Sequence, residues 1–165
     1  MPTDKKIIEC VPNFSEGRNL DIIDKIASAV KSTQNVKLLN VEPDKDYNRT
    51  VITFAGEPSG VKEAAFNAIS TASELIDMSR QKGEHPRIGA TDVCPIIPVA
   101  NATREECVKL ANELGSEVGE KLGIPVYLYE DAARSEERRN LENIRKGEYE
   151  GLEQKLRDWV PDYGP

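Results

Sequence analysis

Val36-Lys37-Leu38-Leu39-Asn40-Val41-Glu42-Pro43-Asp44-Lys45-Asp46-Tyr47-Asn48-Arg49-Thr50-Val51-Ile52-Thr53-Phe54-Ala55 reads as two strands joined by a polar turn. Residues 36–41 and 49–55 are both rich in β-formers, and Val51, Thr53 and Ala55 alternate with Ile52 and Phe54 as a half-buried strand requires. The polar turn Pro43-Asp44-Lys45-Asp46 is short, so an antiparallel hairpin is the simplest way to join the two runs. Upstream, 6–11 reads as a strand ended by Pro12-Asn13 and the turn Ser15-Glu16-Gly17. It is followed by a helix at about 19–31, where Ile22, Ile23, Ile26, Ala27 and Val30 recur at helical spacing. Downstream, Pro58-Ser59-Gly60 opens a long helix to about Met78, with a stripe of Val61, Ala65, Ala68, Ile69, Ala72, Leu75 and Ile76. A strand at 93–99 comes next, and its Pro95 and Pro98 suit an edge or a bulge because neither can donate to a ladder.

These elements follow the split βαβ, ferredoxin-like order β-α-β-β-α-β. Beyond them, Thr103-Arg104-Glu105-Glu106 is a capping box, and the helix behind it runs to Leu122, where Gly123 stops it. A fifth strand is expected at 125–129, then short helices near 137–144 and 151–156 and a turn-rich tail. The fold class is therefore α/β of the α+β kind. A ferredoxin-like core carries an extra αβ and peripheral helices, with the helices on one face of a mixed, mainly antiparallel sheet. The strands hold too many apolar residues for the other face to be fully wetted, so a further domain or another chain is expected to cover it.

The chain has 165 residues, 38% of them hydrophobic, enough for one core and one domain. A net charge of −7 without any basic stripe argues against a nucleic-acid partner. No apolar run reaches membrane-spanning length and the N-terminus has no signal-peptide pattern, so a cytoplasmic protein is expected. Cys10, Cys94 and Cys107 are widely spaced, and with one histidine they form no zinc pattern. Reduced thiols and no metal are the expectation. The sequons at Asn13, Asn48 and Asn101 each have a structural reading as turn or hairpin chemistry.

The glycines fall into no nucleotide-binding pattern and there is no nucleophile elbow. The one histidine, His85, lies in Lys82-Gly83-Glu84-His85-Pro86-Arg87-Ile88-Gly89-Ala90, too polar and too broken for a core element. Imidazole exchanges protons near neutral pH, so His85 is either a catalyst or a surface or hydrogen-bonded loop residue. Pairing with Cys94 is a further option, against Cys94 as a plain strand residue. The nearby cations form a solvated rim or suit a carboxylate-bearing substrate. Val11-Pro12-Asn13-Phe14-Ser15-Glu16-Gly17, just after a strand, is either a ligand loop or an ordinary strand-to-helix turn.

Blocks along the whole chain closely resemble the formiminotransferase family. They include Glu9-Cys10-Val11-Pro12-Asn13-Phe14-Ser15-Glu16-Gly17, Asn48-Arg49-Thr50-Val51, Leu75-Ile76-Asp77-Met78-Ser79-Arg80 and Gly83-Glu84-His85-Pro86-Arg87-Ile88-Gly89-Ala90. Asp92-Val93-Cys94-Pro95, Pro125-Val126-Tyr127-Leu128-Tyr129, Arg145-Lys146-Gly147-Glu148-Tyr149-Glu150 and Trp159-Val160-Pro161-Asp162-Tyr163-Gly164-Pro165 continue the match in the same order.

The resemblance implies an enzyme of histidine breakdown, one that moves the formimino group of N-formimino-L-glutamate onto N-5 of tetrahydrofolate. His85 is then the catalytic residue. Gly164 and Pro165 begin the folate-contacting segment, and Glu42 stands where the family is expected to carry Asp at its site. Tetrahydrofolate is a co-substrate and no metal is needed. Asn13, Arg49, Lys82 and Arg87 are the candidates for binding the substrates. The resemblance also implies that residues 1–165 are the N-terminal subdomain, the C-terminal subdomain being absent from this chain. A homo-oligomer is a further expectation, set by the open sheet face and not by the resemblance. A non-catalytic, folate-binding or interaction module of the same ancestry, self-associating through its open sheet, is the alternative.

Overall fold

The computed structural model describes residues 5–81 and 87–165. The hairpin is present as β3 (Val36–Asp44) and β4 (Arg49–Gly56), paired antiparallel with Val41 opposite Ile52 and Asp44 opposite Arg49. β4 pairs on its other side with β1 (Ile7–Cys10) and β2 (Asn13–Phe14), two pieces of one kinked strand. That strand pairs in turn with β5 (Thr91–Val93) and β6 (Ile96–Ala100), again two pieces of one strand. The sheet therefore runs β3, β4, β1 with β2, then β6 with β5, and every neighbouring pair is antiparallel. The helices lie on one side, giving the α+β architecture expected of the element order.

Both breaks occur at the same level. Cys10 faces Ile96 and Asn13 faces Val93, so Val11-Pro12 lies opposite Cys94-Pro95. Each proline removes a ladder donor, and the strands part there. The carbonyls are still used: Pro95 accepts from Val11 N at 3.2 Å, and Pro12 accepts from Ile52 N at 3.1 Å.

Helix α1 (Leu20–Lys31) starts at Asn19, whose side chain accepts from Asp21 N and Ile22 N. It buries Ile23, Ile26, Ala27 and Val30, one face at helical spacing. Helix α2 (Pro58–Leu75) has Pro58 in its first turn and buries Gly60, Val61, Ala64, Ala65, Ala68, Ile69 and Ala72. These small residues let α2 press closely onto the sheet and onto α1. Helix α3 (Arg104–Glu117) is capped by Thr103, whose hydroxyl accepts from Glu106 N at 3.1 Å. Its end widens into a π turn (Val118–Leu122) before Gly123, at φ +66°, turns the chain away. Ile8, Cys10, Phe14, Ile52 and Phe54 from the sheet meet Ile26, Val30, Val61, Ala64 and Ala68 from the helices to form the core. Each large side chain buried there is worth about 1.5–3 kcal/mol.

Residues 125–129 do not form a strand. Val126 makes a single bridge to Tyr163, with Val126 N donating to Tyr163 O at 2.8 Å. Leu128 N donates instead to the Asp162 carboxylate at 2.7 Å. The C-terminal tail satisfies this segment, so no ladder is left to build. Two short 3₁₀ turns (Glu130–Ala132, Glu136–Arg138), α4 (Leu141–Arg145) and α5 (Leu152–Asp158) complete the chain. The sheet face away from the helices carries Leu39, Ile97 and Val99 at 52%, 44% and 56% exposure, and nothing among the described residues covers them.

Candidate functional site

Directly opposed residues of an antiparallel sheet share a face. Asn13 faces Val51, and Val51 faces Glu42 across β4, so Asn13 and Glu42 lie on one face two strands apart. Arg49 stands two residues from Val51 on the same strand, hence on that face too. Phe14, Thr50 and Ile52 alternate with these residues and point into the core. The uncovered face thus gathers Asn13, Glu42 and Arg49. Arg49 Nη1 donates to Asn13 Oδ1 at 2.8 Å, and the Glu42 carboxylate accepts from Asn40 Nδ2.

Behind this strip the expected loop is firmly anchored. Ser15 N and Oγ donate to the carbonyls of Ala90 and Gly89 at 2.9 and 2.7 Å. Glu16 is buried, and its Oε2 accepts from Arg18 N and Asn19 N at 2.9 and 3.0 Å just ahead of α1. Gly17 must be glycine, since a Cβ would collide with the Asp44 carbonyl and the Arg49 backbone. Its N–H donates to Asn48 Oδ1 at 2.9 Å, and Asn48 holds a left-handed φ of +52° at the hairpin end. Asn48 Nδ2 then reaches Gln81 Oε1 at 3.1 Å, and Gln81 Nε2 reaches Glu16 Oε1 at 2.8 Å. Glu16 and Gln81 were not visible as site residues in the sequence, because they meet across 65 positions.

His85 and Lys82 lie outside the described residues, as does the pairing of His85 with Cys94. The residues that flank them, Gln81 and Arg87, are described. Arg87 turns inward: Nη1 lies 3.3 Å from Glu148 Oε1 and 2.9 Å from Glu150 Oε2, and Nη2 lies 2.7 Å from Gln81 O. Hydrogen bonding to Glu150 raises the guanidinium pKa further above its ordinary value. A cavity of about 540 Å³ opens beside it, lined by Met78, Ser79, Gln81, Tyr149 and Glu150. Gly164 sits elsewhere, against Gly119, Ile124 and Pro125, and is followed by Pro165. The tail that carries both is docked by Tyr163 Oη on Asn112 at 2.7 Å and by Arg138 on Asp162 at 3.3 Å.

Cys10 and Cys94 approach to 3.5 Å between their sulfurs. The contact with Cys94, together with full burial, pushes the Cys10 thiol well above its usual pKa. That protonated state makes Cys10 a poor nucleophile. Burial likewise pushes the Tyr129 hydroxyl up. Among the described residues no cluster of histidine, cysteine and carboxylate side chains is arranged to hold a metal, and no helix is long and apolar enough to cross a membrane. A larger cavity of about 1100 Å³ lies beneath β5 and β6, with mostly apolar walls that include Ile69, Ile96, Leu114 and Leu128.

A family profile described as formiminotransferase domain, N-terminal subdomain, matches residues 7–165. Formimidoyltransferase-cyclodeaminase of Dictyostelium discoideum is 52% identical over 162 residues, which is 97% of this chain and 30% of that protein. The protein of the same name from Gallus gallus is 54% identical over the same coverage. Glutamate formimidoyltransferase of Streptococcus pyogenes serotype M1 is 48% identical over 161 residues, 96% of this chain and 54% of its own length. The chain therefore spans from 30% to about half of the curated relatives it matches.

Proposed function

This chain belongs to the formiminotransferase family, and from that premise we propose that it is the N-terminal subdomain of a glutamate formimidoyltransferase. The protein passes the formimino group of N-formimino-L-glutamate to N-5 of tetrahydrofolate, which is a co-substrate, and works in the cytoplasm without a metal. The observation that carries this reading is the strip of Asn13, Arg49 and Glu42 on the uncovered sheet face. Asn48 and Gln81 link that strip to the position immediately before the segment that holds His85.

Attack of the folate nitrogen on the formimino carbon forms a C–N bond and a tetrahedral intermediate. The attacking nitrogen must lose a proton, and the departing glutamate nitrogen must gain one as its C–N bond breaks. One imidazole titrating near neutrality serves both needs, first as base and then as acid. We assign that role to His85. Glu42 supplies a negative charge for the cationic formimino group, and Arg49, held on Asn13, binds the substrate carboxylates, a role we assign also to Lys82. Gly164 and Pro165 begin the segment that meets the folate.

The test is formiminoglutamate-dependent modification of tetrahydrofolate by the full-length protein. Turnover falls by about 10²–10⁴-fold in His85→Ala, the usual worth of a general acid–base group. Near-normal turnover in a folded His85→Ala protein sinks the assignment. The exposed Leu39, Ile97 and Val99 favour one other reading, a non-catalytic module that self-associates through this face. Stable oligomers of the 165-residue chain, with no transfer by the full-length protein, would select it.

A further inference from the structure

We propose that Arg87 is a positioning residue, a clamp that joins residue 87 to residue 81, which flank in sequence the segment that carries His85. The proposal rests on the reading of His85 as the proton carrier. It departs from the sequence-based expectation that Arg87 steers a substrate carboxylate, because its donors are already committed. Nη1 faces Glu148 and Glu150, while Nη2 faces the Gln81 carbonyl and, at 2.9 Å, Glu150 Oε1. Only Nε lacks a partner, and it is buried within a residue 9% exposed. A third carboxylate approaching this fork would meet two carboxylates already in place.

The same residues grip the backbone on both sides of the segment. At its far end, Arg87 N donates to Glu148 Oε1 at 3.3 Å, and Arg87 O accepts from Tyr149 N at 3.0 Å. Ile88 N donates to Asp92 Oδ1 at 2.6 Å, and Asp92 is itself held by Arg145 Nε at 2.9 Å. At its near end, the Gln81 carbonyl is the one the Arg87 fork takes, while the Gln81 side chain bridges Glu16 and Asn48. One guanidinium thus joins position 81 to position 87, and Gln81 joins both to the hairpin residue next to Arg49. A planar fork with fixed donor directions does this; an ammonium on a flexible stem holds no such angle.

The test compares Arg87→Lys, Arg87→Ala and Glu150→Gln with the unmodified full-length protein. Clamping predicts a kcat about 100-fold lower in Arg87→Ala, the cost of roughly 1 Å of misplacement, with KM for both substrates within about threefold. Arg87→Lys recovers only part of the loss. A KM for formiminoglutamate raised tenfold at unchanged kcat would show a substrate ligand instead and overturn the proposal.

The second readout needs no activity. His85 is the one histidine of the chain, so its ring proton signals are assigned at once, and their pH titration can be followed. Arg87→Lys keeps the charge, so a titration midpoint displaced by about half a unit or more reports a moved ring and not a lost cation. An unmoved midpoint in folded Arg87→Lys overturns the clamp. Absence of formimino transfer in the unmodified protein would refute the function while the titration still decides the clamp. Should Arg87→Ala fail to fold, Glu150→Gln leaves the Gln81 and Glu148 contacts and gives the same shifts at smaller amplitude.

Discussion

The two faces of one sheet are built for different tasks. Toward the helices, Ile8, Cys10, Phe14, Ile52 and Phe54 are packed out of solvent against small residues of α2. On the other side, at the alternate positions of the strands, stand Asn13, Arg49, Val51 and Glu9, half-exposed, with Leu39, Ile97 and Val99 open to water. The period of two that defines a strand is what separates them. Folding energy is placed on one face, and the polar groups proposed for chemistry are placed on the other, where changing them leaves the core intact.

The strongest way to break that contrast is Phe54→Ala. Phe54 is fully buried at the centre of the packed face, and removing its ring leaves a cavity. The expected loss is about 3–5 kcal/mol, read as a lower urea midpoint at unchanged slope. A loss under about 1 kcal/mol would mean that the helix layer collapses to fill the gap and that the face is not tightly packed.

A smaller effect comes from the Cys10 thiol on the same face, held protonated by Cys94 and by burial. The unfolded chain loses that proton above about pH 8.5, while the folded chain keeps it to higher pH. The folded state then binds more protons, so stability present below pH 8.5 is lost as the pH rises, by up to about 1.4 kcal/mol per unit. Urea midpoints of the reduced protein from pH 8 to pH 10 should fall more steeply than those of Cys10→Ala. Parallel slopes would mean that the folded and unfolded thiols titrate alike.

The contrast between faces also marks what could be read from the sequence. Alternation in 49–55 and the stripe of α2 announce the hairpin and the helix, because local periodicity survives any tertiary context. The opposed breaks at Pro12 and Pro95 need the register, which joins residues 80 and more apart. Residues 125–129 read as a strand from their β-formers, yet their partner is Asp162 and Tyr163 in the tail. Asn13, Glu42 and Arg49 were named from the sequence, but their shared face follows only from pairing across β4. Arg87 is recognisable as a cation near His85; its inward turn depends on Glu148 and Glu150, 61 and 63 positions away. His85 itself owes its assignment to the resemblance.

The smallest expected change tests the open face directly. Ile97 lies opposite Glu9 on the central strand and is 44% exposed, so a lysine placed there gains a cross-strand carboxylate and buries no charge. Ile97→Lys should move the stability of the 165-residue chain by no more than about 0.5 kcal/mol, within the range of surface substitutions. In the longer protein of the proposed function the same change should cost more, because a covered face would have to bury the ammonium. Equal, negligible effects in both would show that nothing docks on this face, and the two sides of the sheet would then differ in exposure alone and not in task.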